Sequence, residues 1–442
     1  MKMLLITASV LALFYHGALA ADTDATPADA EPETWSLHGQ FTLVEQYHPS
    51  FTSPYRGTNS LDPGARGNET TDATLYAGVR LLPGLEFYAN PEIDQGFGLS
   101  NTLGVAGFPS AEAYKVGEAE PYIRLDRAFF RQTFNLGGET QPLEAGANQL
   151  GGSRTADNIV LTAGKFSVTD IFDANTYAHD PRKDFLNWTV VDSGAFDYAA
   201  DAWGYSYGAA AEWTQSWWTL RAGLFDLSRV PNNKALQRDF GQYEVVVEAE
   251  ERHQWAGRDG KVKLLVFQNH ANMGSYGDAV RLASLTGTTP DTATVRRYTT
   301  RAGFALNAEQ QVGDDWGVFL RASANDGSKE AYEFTDVNKS LSVGASLTGA
   351  RWGRDKDTVG LAGVVNALDA DARAYFAAGG LGILVGDGRL SYSTERILET
   401  YYSAALWTGI NLTVDYQLVA NPGYNRDRGP ANVLGLRFHA EI

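Results

Sequence analysis

From residue 411 to the C-terminus the side chains alternate as only a strand between two different solvents requires. Leu412, Val414, Tyr416 and Leu418 fall on one face, and Asn411, Thr413, Asp415 and Gln417 on the other; this is the period of a β-strand. A polar, turn-rich connection, 421–430, leads to a second run. There Leu434, Leu436, Phe438, Ala440 and Ile442 oppose Gly435, Arg437, His439 and Glu441. Aliphatic and aromatic groups on one face with charges on the other are what lipid outside and water inside demand of a closed barrel. A chain that ends on such a strand can close one.

The same pattern recurs along the whole chain. Alternating segments lie at 35–47, 73–82, 84–90, 121–135, 158–166, 203–213, 216–227, 240–251, 261–270, 295–310, 315–324, 340–351, 357–366, 395–405, 410–420 and 431–442. About sixteen strands is an even number, as single-chain bacterial barrels have, and such barrels alternate short periplasmic turns with long outer loops. With the first strand rising from the periplasm, the short turns at Pro83-Gly84, Thr214-Gln215, Gly313-Asp314 and 407–409 all fall on one side. The long connections 48–72, 91–120, 167–202, 271–294 and 367–394 fall on the other. Only 136–157, rich in Gly, is longer than a periplasmic turn should be. Within 367–394, residues 371–384 are apolar and Ala-rich enough for a short helix. The fold class expected is therefore all-β, a transmembrane antiparallel barrel with long extracellular loops, one of them folded into the lumen.

The N-terminus gives the destination. Lys2, an apolar run at 4–13 too short to span a bilayer, and Ala18-Leu19-Ala20 read as a secretory signal peptide, 1–20, cleaved near Ala20. Residues 21–34, rich in Ala, Asp, Glu, Pro and Thr, read as a flexible acidic leader. No linker or composition shift divides 35–442, which is read as one barrel domain. The chain has no Cys, which disfavours a disulfide framework or a thiolate metal site. Its net charge of −17 argues against a nucleic-acid partner, which would want a basic face. A mean hydropathy of −0.26 and the lack of a long apolar run after the signal exclude a helical membrane protein but not a barrel with a polar lumen. The expected location is the outer membrane of a Gram-negative bacterium, with lipid and lipopolysaccharide around the barrel.

Something must narrow so wide a cylinder. The connection after the fifth strand, 167–202, is the longest and the densest in functional groups. From Gly164 it reads G-K-x-S-x-x-D-x-F-D-x-N, then Y-A-x-D-P-R and F-x-N-W, ending at Trp188. This run resembles the carbohydrate-selective porins of the OprB-like family. So do Trp35-Ser-Leu-His-Gly-Gln40, Tyr88-Ala-Asn-Pro-Glu92, Glu399-Thr-Tyr-Tyr402 and Asp415-Tyr-Gln, followed by N-P-x-Y-N from Asn421 and D-R-G-P from Asp427. The likeness covers about 35–442. It implies a passive outer-membrane channel for mono- and small oligosaccharides, with no cofactor, and leans toward a monomer over a trimer.

A constriction that selects sugars offers aromatic surfaces for the ring faces and charged groups for the hydroxyls. Alternation puts Arg80, Glu86, Tyr88, Asn90 and Glu92 on the lumen side if Leu81, Leu85, Phe87 and Ala89 face lipid. Arg124, Arg127 and Arg131 follow on the next strand, where the alternation slips between Leu125 and Ala128. From the loop and its approach come Lys165, Asp170, Asp173, Asn175, Tyr177, Arg182 and Trp188. The arginines of strands 73–82 and 121–135, with Glu86 and Glu92, are the expected constriction. Each has a plainer reading. The loop charges would pin the loop to the wall, and Asp170, Asp173 and Asn175 would make Asx turns or hold Ca²⁺, although no metal site is assigned. Trp188, Trp203, Trp213, Trp217 and Trp218 would be interfacial girdle residues, with Trp188 preferred for the lumen. Two rival functions stay in view: a less selective porin for small ions and acids, and a barrel enzyme acting on lipid or polysaccharide. Gly204-Tyr-Ser206-Tyr-Gly208 fits G-x-S-x-G but sits inside an alternating strand. No base is grouped with a nucleophile, so the chain is read as no enzyme.

Overall fold

A computed structural model describes residues 32–113 and 117–442; the signal peptide and most of the leader lie outside the described residues. Among these residues sixteen strands form one closed antiparallel barrel. They are β1 Trp35–His48, β2 Arg66–Leu82, β3 Leu85–Gly96, β4 Glu118–Leu143, β5 Gly152–Phe166, β6 Ser206–Gln215, β7 Trp218–Asp226 and β8 Tyr243–Trp255, then β9 Arg258–Met273, β10 Arg297–Gln311, β11 Trp316–Asn325, β12 Lys339–Gly349, β13 Arg354–Ala367, β14 Glu395–Trp407, β15 Ile410–Ala420 and β16 Ala431–Glu441. The last strand closes on the first, with Gln40 opposite Glu441 and Tyr47 opposite Leu434.

Burial along each strand is the inverse of a water-soluble protein. On β16 Leu434 is 51% exposed while Arg437 is 1% exposed. Large apolar residues such as Leu37, Ile93, Ile123, Leu264, Phe304, Leu361 and Val414 stand outward around the circumference, forming the surface that lipid covers. Trp35, Trp217, Trp255 and Trp407 are exposed at the end of the short turns, where amphipathic rings suit the headgroup region. Those turns are tight because left-handed residues are supplied where the reversal needs them: Gly84 at φ 76°, and Ala256 and Gly257 at φ 52° and 75°.

Several boundaries differ from the sequence reading for physical reasons. Residues 136–157 are mostly not a loop, for β4 and β5 continue as a hairpin through register shifts at Asn135, Gly137 and Thr140, and Gly137 and Gly138 have positive φ. The connection shrinks to 144–151. β3 also runs through Pro91, a residue without a ladder donor, because the register breaks between Asn90 and Pro91. The helix expected at 371–384 is present but shorter, Ala370–Ala377, and stops where Gly379 turns to φ 91°.

The lumen is not an open tube. Loop 167–205, carrying the one-turn helix Trp188–Val191, folds inward after β5. Its Phe172, Trp188, Phe196 and Tyr198 form an apolar core with Phe225, Phe267, Tyr332 and Phe334, filling the half of the interior beside β7, β8 and β9. Buried arginines of the wall hold the loop's carbonyl groups. Arg437 donates to Pro181 O (2.6 Å), Asp184 O (2.8 Å) and Lys183 O (2.9 Å), and Arg321 donates to Val190 O (2.7 Å). The passage that remains runs along the β1–β5 wall.

Candidate functional site

Three neighbouring cavities mark that passage. The smallest of the three, about 330 Å³, is bounded by Arg127, Asp170, Arg182 and Glu112 together with Phe108, Trp188 and Tyr198. Below it lie a cavity of about 870 Å³ against Arg80, Glu86 and Arg131, and one of about 520 Å³ against His38, Asp180, Arg182 and His439. Ala147, at the tip of the periplasmic connection, borders all three.

The slip in alternation on β4 is a bulge, and it shapes the site. Asn90 pairs with Arg127 and Glu92 with Arg124, so two residues of β4, Leu125 and Asp126, stand opposite Pro91 alone. Asp126 and Arg127 therefore both carry their side chains toward the lumen, which strict alternation forbids. Arg127 then meets the inward loop. Its Nε and Nη2 each lie 2.7 Å from an Asp170 oxygen, a two-pronged pair, with the Tyr205 ring 4.9 Å from its Cζ. Asp170 also accepts from Ser167 N–H (3.0 Å). Burial pushes the Asp170 carboxyl up, but Arg127 overrides this and holds it below the ordinary range.

Arg182 is the second clamp. It reaches Asp72, Glu92 and Glu112, each at 3.2 Å, and donates to the Tyr76 hydroxyl (3.3 Å). Burial opposes its charge, and these carboxylates hold its pKa above the ordinary value all the same. Facing the charges is an aromatic wall: Trp188 stands edge-on to Phe108 at 5.6 Å and stacked on Tyr198 at 6.1 Å. Asp192, at the back of this cavity, is pushed up to about 8 by burial and by the charge of Asp173.

The sequence-read residues separate into groups. Arg127, Asp170, Arg182 and Trp188 line the narrow cavity, and Arg80 and Glu86 line the wide lower one. Arg80 is occupied there, donating to Glu33 O (2.9 Å) and Gly151 O (3.2 Å) and pairing with Glu86 (3.1 Å), so it belongs to the periplasmic mouth and not to the narrowest point. Tyr88 and Asn90 hold the periplasmic connection up inside the barrel: Leu150 N–H donates to the Tyr88 hydroxyl (3.1 Å) and Asn90 Nδ2 to Asn148 Oδ1 (2.8 Å). Glu92 stands behind Arg182. Arg124 and Lys165 converge on Asp201, each at 3.3 Å.

Asp173 and Asn175 do not gather around a cation. Asp173 accepts from Ser193 N–H (2.6 Å) and pairs with Arg321 (3.5 Å), while Asn175 Oδ1 accepts from Tyr177 N–H (2.9 Å), its Nδ2 donates to Asn307 Oδ1 (2.8 Å), and Asp170 is held by Arg127. Their oxygens are spent on donors: loop pinning describes Asp173, and Asn175 both pins the loop and makes an Asx turn. Tyr177 lies over the bare backbone of Gly317, where a Cβ would come within 2.0 Å of its ring. Trp203 is not a girdle residue: Asp201 turns the chain by accepting its N–H (3.0 Å), and the indole stacks on Arg124 at 3.8 Å. Ser206 of the G-x-S-x-G match opens β6 and donates its hydroxyl to Asp226 O, without the strand-turn-helix that an elbow needs.

Sequence reasoning missed that loop residues 97–113 also enter the lumen. Ala106 N–H and Gly107 N–H donate to Glu395 at 3.0 and 2.8 Å, and Trp188 N–H to Phe108 O at 3.2 Å. The Gly-Phe-Pro-Ser run at 107–110 allows this approach, since a Cβ on Gly107 would meet Thr189 Oγ1 at 2.6 Å. Glu112 and Phe108 reach the constriction this way.

A family model described as carbohydrate-selective porin, OprB family, matches residues 58–441. No curated protein sequence matches the chain. Among solved structures, the high-pH form of Pseudomonas putida OprB superposes with a TM-score of 0.70 at 15% identity, covering 92% of this chain and 94% of that one. Its low-pH form gives 0.51 at 12%, covering 92% and 93%. The outer membrane channel DcaP of Acinetobacter baumannii gives 0.50 at 11%, covering 92% and 97%. At these identities the superpositions speak for the fold.

Proposed function

We infer how solutes cross from one premise: this chain belongs to the carbohydrate-selective porin, OprB, family, and forms a sugar-selective channel in the outer membrane. Sugars diffuse through it down their gradient, one ring at a time. The observation that carries this reading is the narrow cavity with an aromatic wall at Trp188 and two ion-pair clamps, Arg127–Asp170 and Arg182–Glu112, on the other side. A pyranose ring lays its apolar face on an aromatic ring, and its hydroxyls both accept from guanidinium and donate to carboxylate. Both charges of each clamp are already paired. A neutral polyol joins such a pair without breaking it, whereas a small ion must compete with one partner. Because the pairs are satisfied beforehand, the net gain on binding is small, as a channel that must release its cargo requires.

The volume sets the size class. About 330 Å³ is at the lower end of the range of small-ligand sites, roughly 300–1,000 Å³, so a monosaccharide fits whole and small oligosaccharides pass lengthwise. Liposome swelling tests this directly: glucose is expected to enter faster than a non-sugar polyol of matched size, and equal rates would reject it. The family likeness leans toward a chain that stands alone in lipid as a monomer. Cleavage near Ala20 is testable by sequencing the N-terminus of membrane-extracted protein.

A further inference from the structure

Beside the sugar passage, on the lumen face of β3 and β4, three carboxylates are gathered that the transport reading does not use as a set. Glu92 and Asp94 stand two residues apart on β3, and the β4 bulge turns Asp126 toward them. Each offers an oxygen within 4.8 Å of the others, and their exposures are 0%, 1% and 0%. Two ligands of one Ca²⁺, each about 2.3–2.6 Å from it, stand no more than about 5 Å apart. The spacing therefore admits a shared ion.

A second observation separates this group from an ordinary acidic patch. Both oxygens of Asp94 and both of Asp126 are buried without a hydrogen-bond partner. Buried carboxylates normally collect donors, as Glu92 does from the Thr74 hydroxyl and Arg182. The nearby positive charge falls short. Arg124 Nη1 lies 2.9 Å from Asp126 and 3.9 Å from Asp94, but the same guanidinium also serves Asp201. Arg182 is divided among Glu92, Asp72 and Glu112. Uncompensated anions out of water are costly enough that an oxygen-seeking cation is drawn in.

We propose that Glu92, Asp94 and Asp126 bind one Ca²⁺ ion. An all-oxygen set excludes soft metals. Calcium suits it better than magnesium, which keeps several waters and near-ideal octahedral geometry, whereas calcium accepts irregular and two-oxygen carboxylate ligation in a closed setting. The ion ties β3 to the bulge of β4. Since that bulge also presents Arg127, and Glu92 also pairs with Arg182, the site braces both clamps from behind.

The test reads metal binding and not transport, so it stands or fails apart from the sugar reading. Full-length protein in detergent, stripped with EDTA and freed of lipopolysaccharide, is titrated with Tb³⁺ under aromatic excitation; Trp203, whose indole donates to the Tyr122 hydroxyl (2.9 Å) beside the cluster, is the expected sensitiser. One saturable site per chain that Ca²⁺ displaces is expected, together with a Ca²⁺-dependent rise in thermal stability. Both should be lost in Asp94→Asn/Asp126→Asn, with the single Asp126→Asn as the milder variant if the double one does not fold. No saturable binding by the wild-type chain, or sensitised binding and a Ca²⁺ stability shift that persist in the folded Asn variants, would overturn the proposal.

Discussion

Replacing Arg127 by Ala separates the two tasks assigned to this residue, latching the loop and meeting the sugar. Its two 2.7 Å contacts with Asp170 are charge-assisted hydrogen bonds, worth about 1.5–3 kcal/mol each. Removing one member of a buried pair costs about 3–5 kcal/mol because the other is stranded. Asp170 keeps the Ser167 N–H and its side chain is 29% exposed, so solvent reduces the loss and the lower end, about 3 kcal/mol, is expected for Arg127→Ala. Arg127→Ala/Asp170→Ala leaves no stranded charge and should be less destabilised than the sum of the single variants, with a coupling of about 2 kcal/mol. Sugar contact behaves otherwise. Because the pair is already satisfied, loss of one guanidinium contact costs only about 0.5–1.5 kcal/mol and weakens glucose binding about 2- to 12-fold, and the double variant does not recover it. Urea titration of the detergent-solubilised barrel measures the first effect, and glucose block of single-channel current the second. Unchanged glucose block in Arg127→Ala would refute the sugar contact. Additive stabilities would refute the latch.

The remaining expectations test other parts of the lumen. Burial raises Asp192 to about 8 from an unfolded value near 3.9, so the folded chain holds a proton that the unfolded chain releases. Stability therefore falls by about 1.4 kcal/mol per pH unit as pH rises from about 4 to about 8, and then levels. Asp192→Asn should remove that slope, its advantage growing between pH 5 and pH 8 in thermal unfolding, and parallel curves would contradict the assignment. Arg437→Met strands the Pro181, Lys183 and Asp184 carbonyls, at about 1–3 kcal/mol for each buried group left unpaired; it should loosen Arg182 and raise open-channel noise. Replacing residues 145–149 by Gly-Gly removes the element that Asn90 and Arg131 hold through Asn148. Ion conductance should rise severalfold, and an unchanged conductance would mean that this connection does not narrow the pore.

All sixteen strands were legible because lipid on one face leaves a period of two that no soluble strand must keep so consistently. Their outer ends were not. Residues 66–72 and 118–120 carry no large apolar side chain on either face and so show no alternation, and 136–143 is interrupted by Gly137 and Gly138. The inward loop announced itself by its density of charged and aromatic groups, yet its roles were decided by partners far away in sequence. Asp173 is set by Arg321 and Ser193, and Asp170 by Arg127. Acids close in the chain suggested a cation site at 170–175; the bulge on β4 instead gathers acids from two strands, a grouping with no local spacing to betray it. The anomalous length of 136–157 was visible in sequence, but that its tip turns back toward Asn90 and Arg131 needed the tertiary structure. Residues 97–113 offered little beyond Glu112 and three glycines, and nothing local says that Gly107 lies against Thr189.

Glucose titration of single-channel current in a planar bilayer probes the central claim most directly. The geometry of the clamps and the Trp188 wall calls for an open channel whose current falls saturably with glucose, and more weakly with a neutral non-sugar polyol of the same size. Equal block by both solutes, or a barrel that carries no current at all, would contradict it.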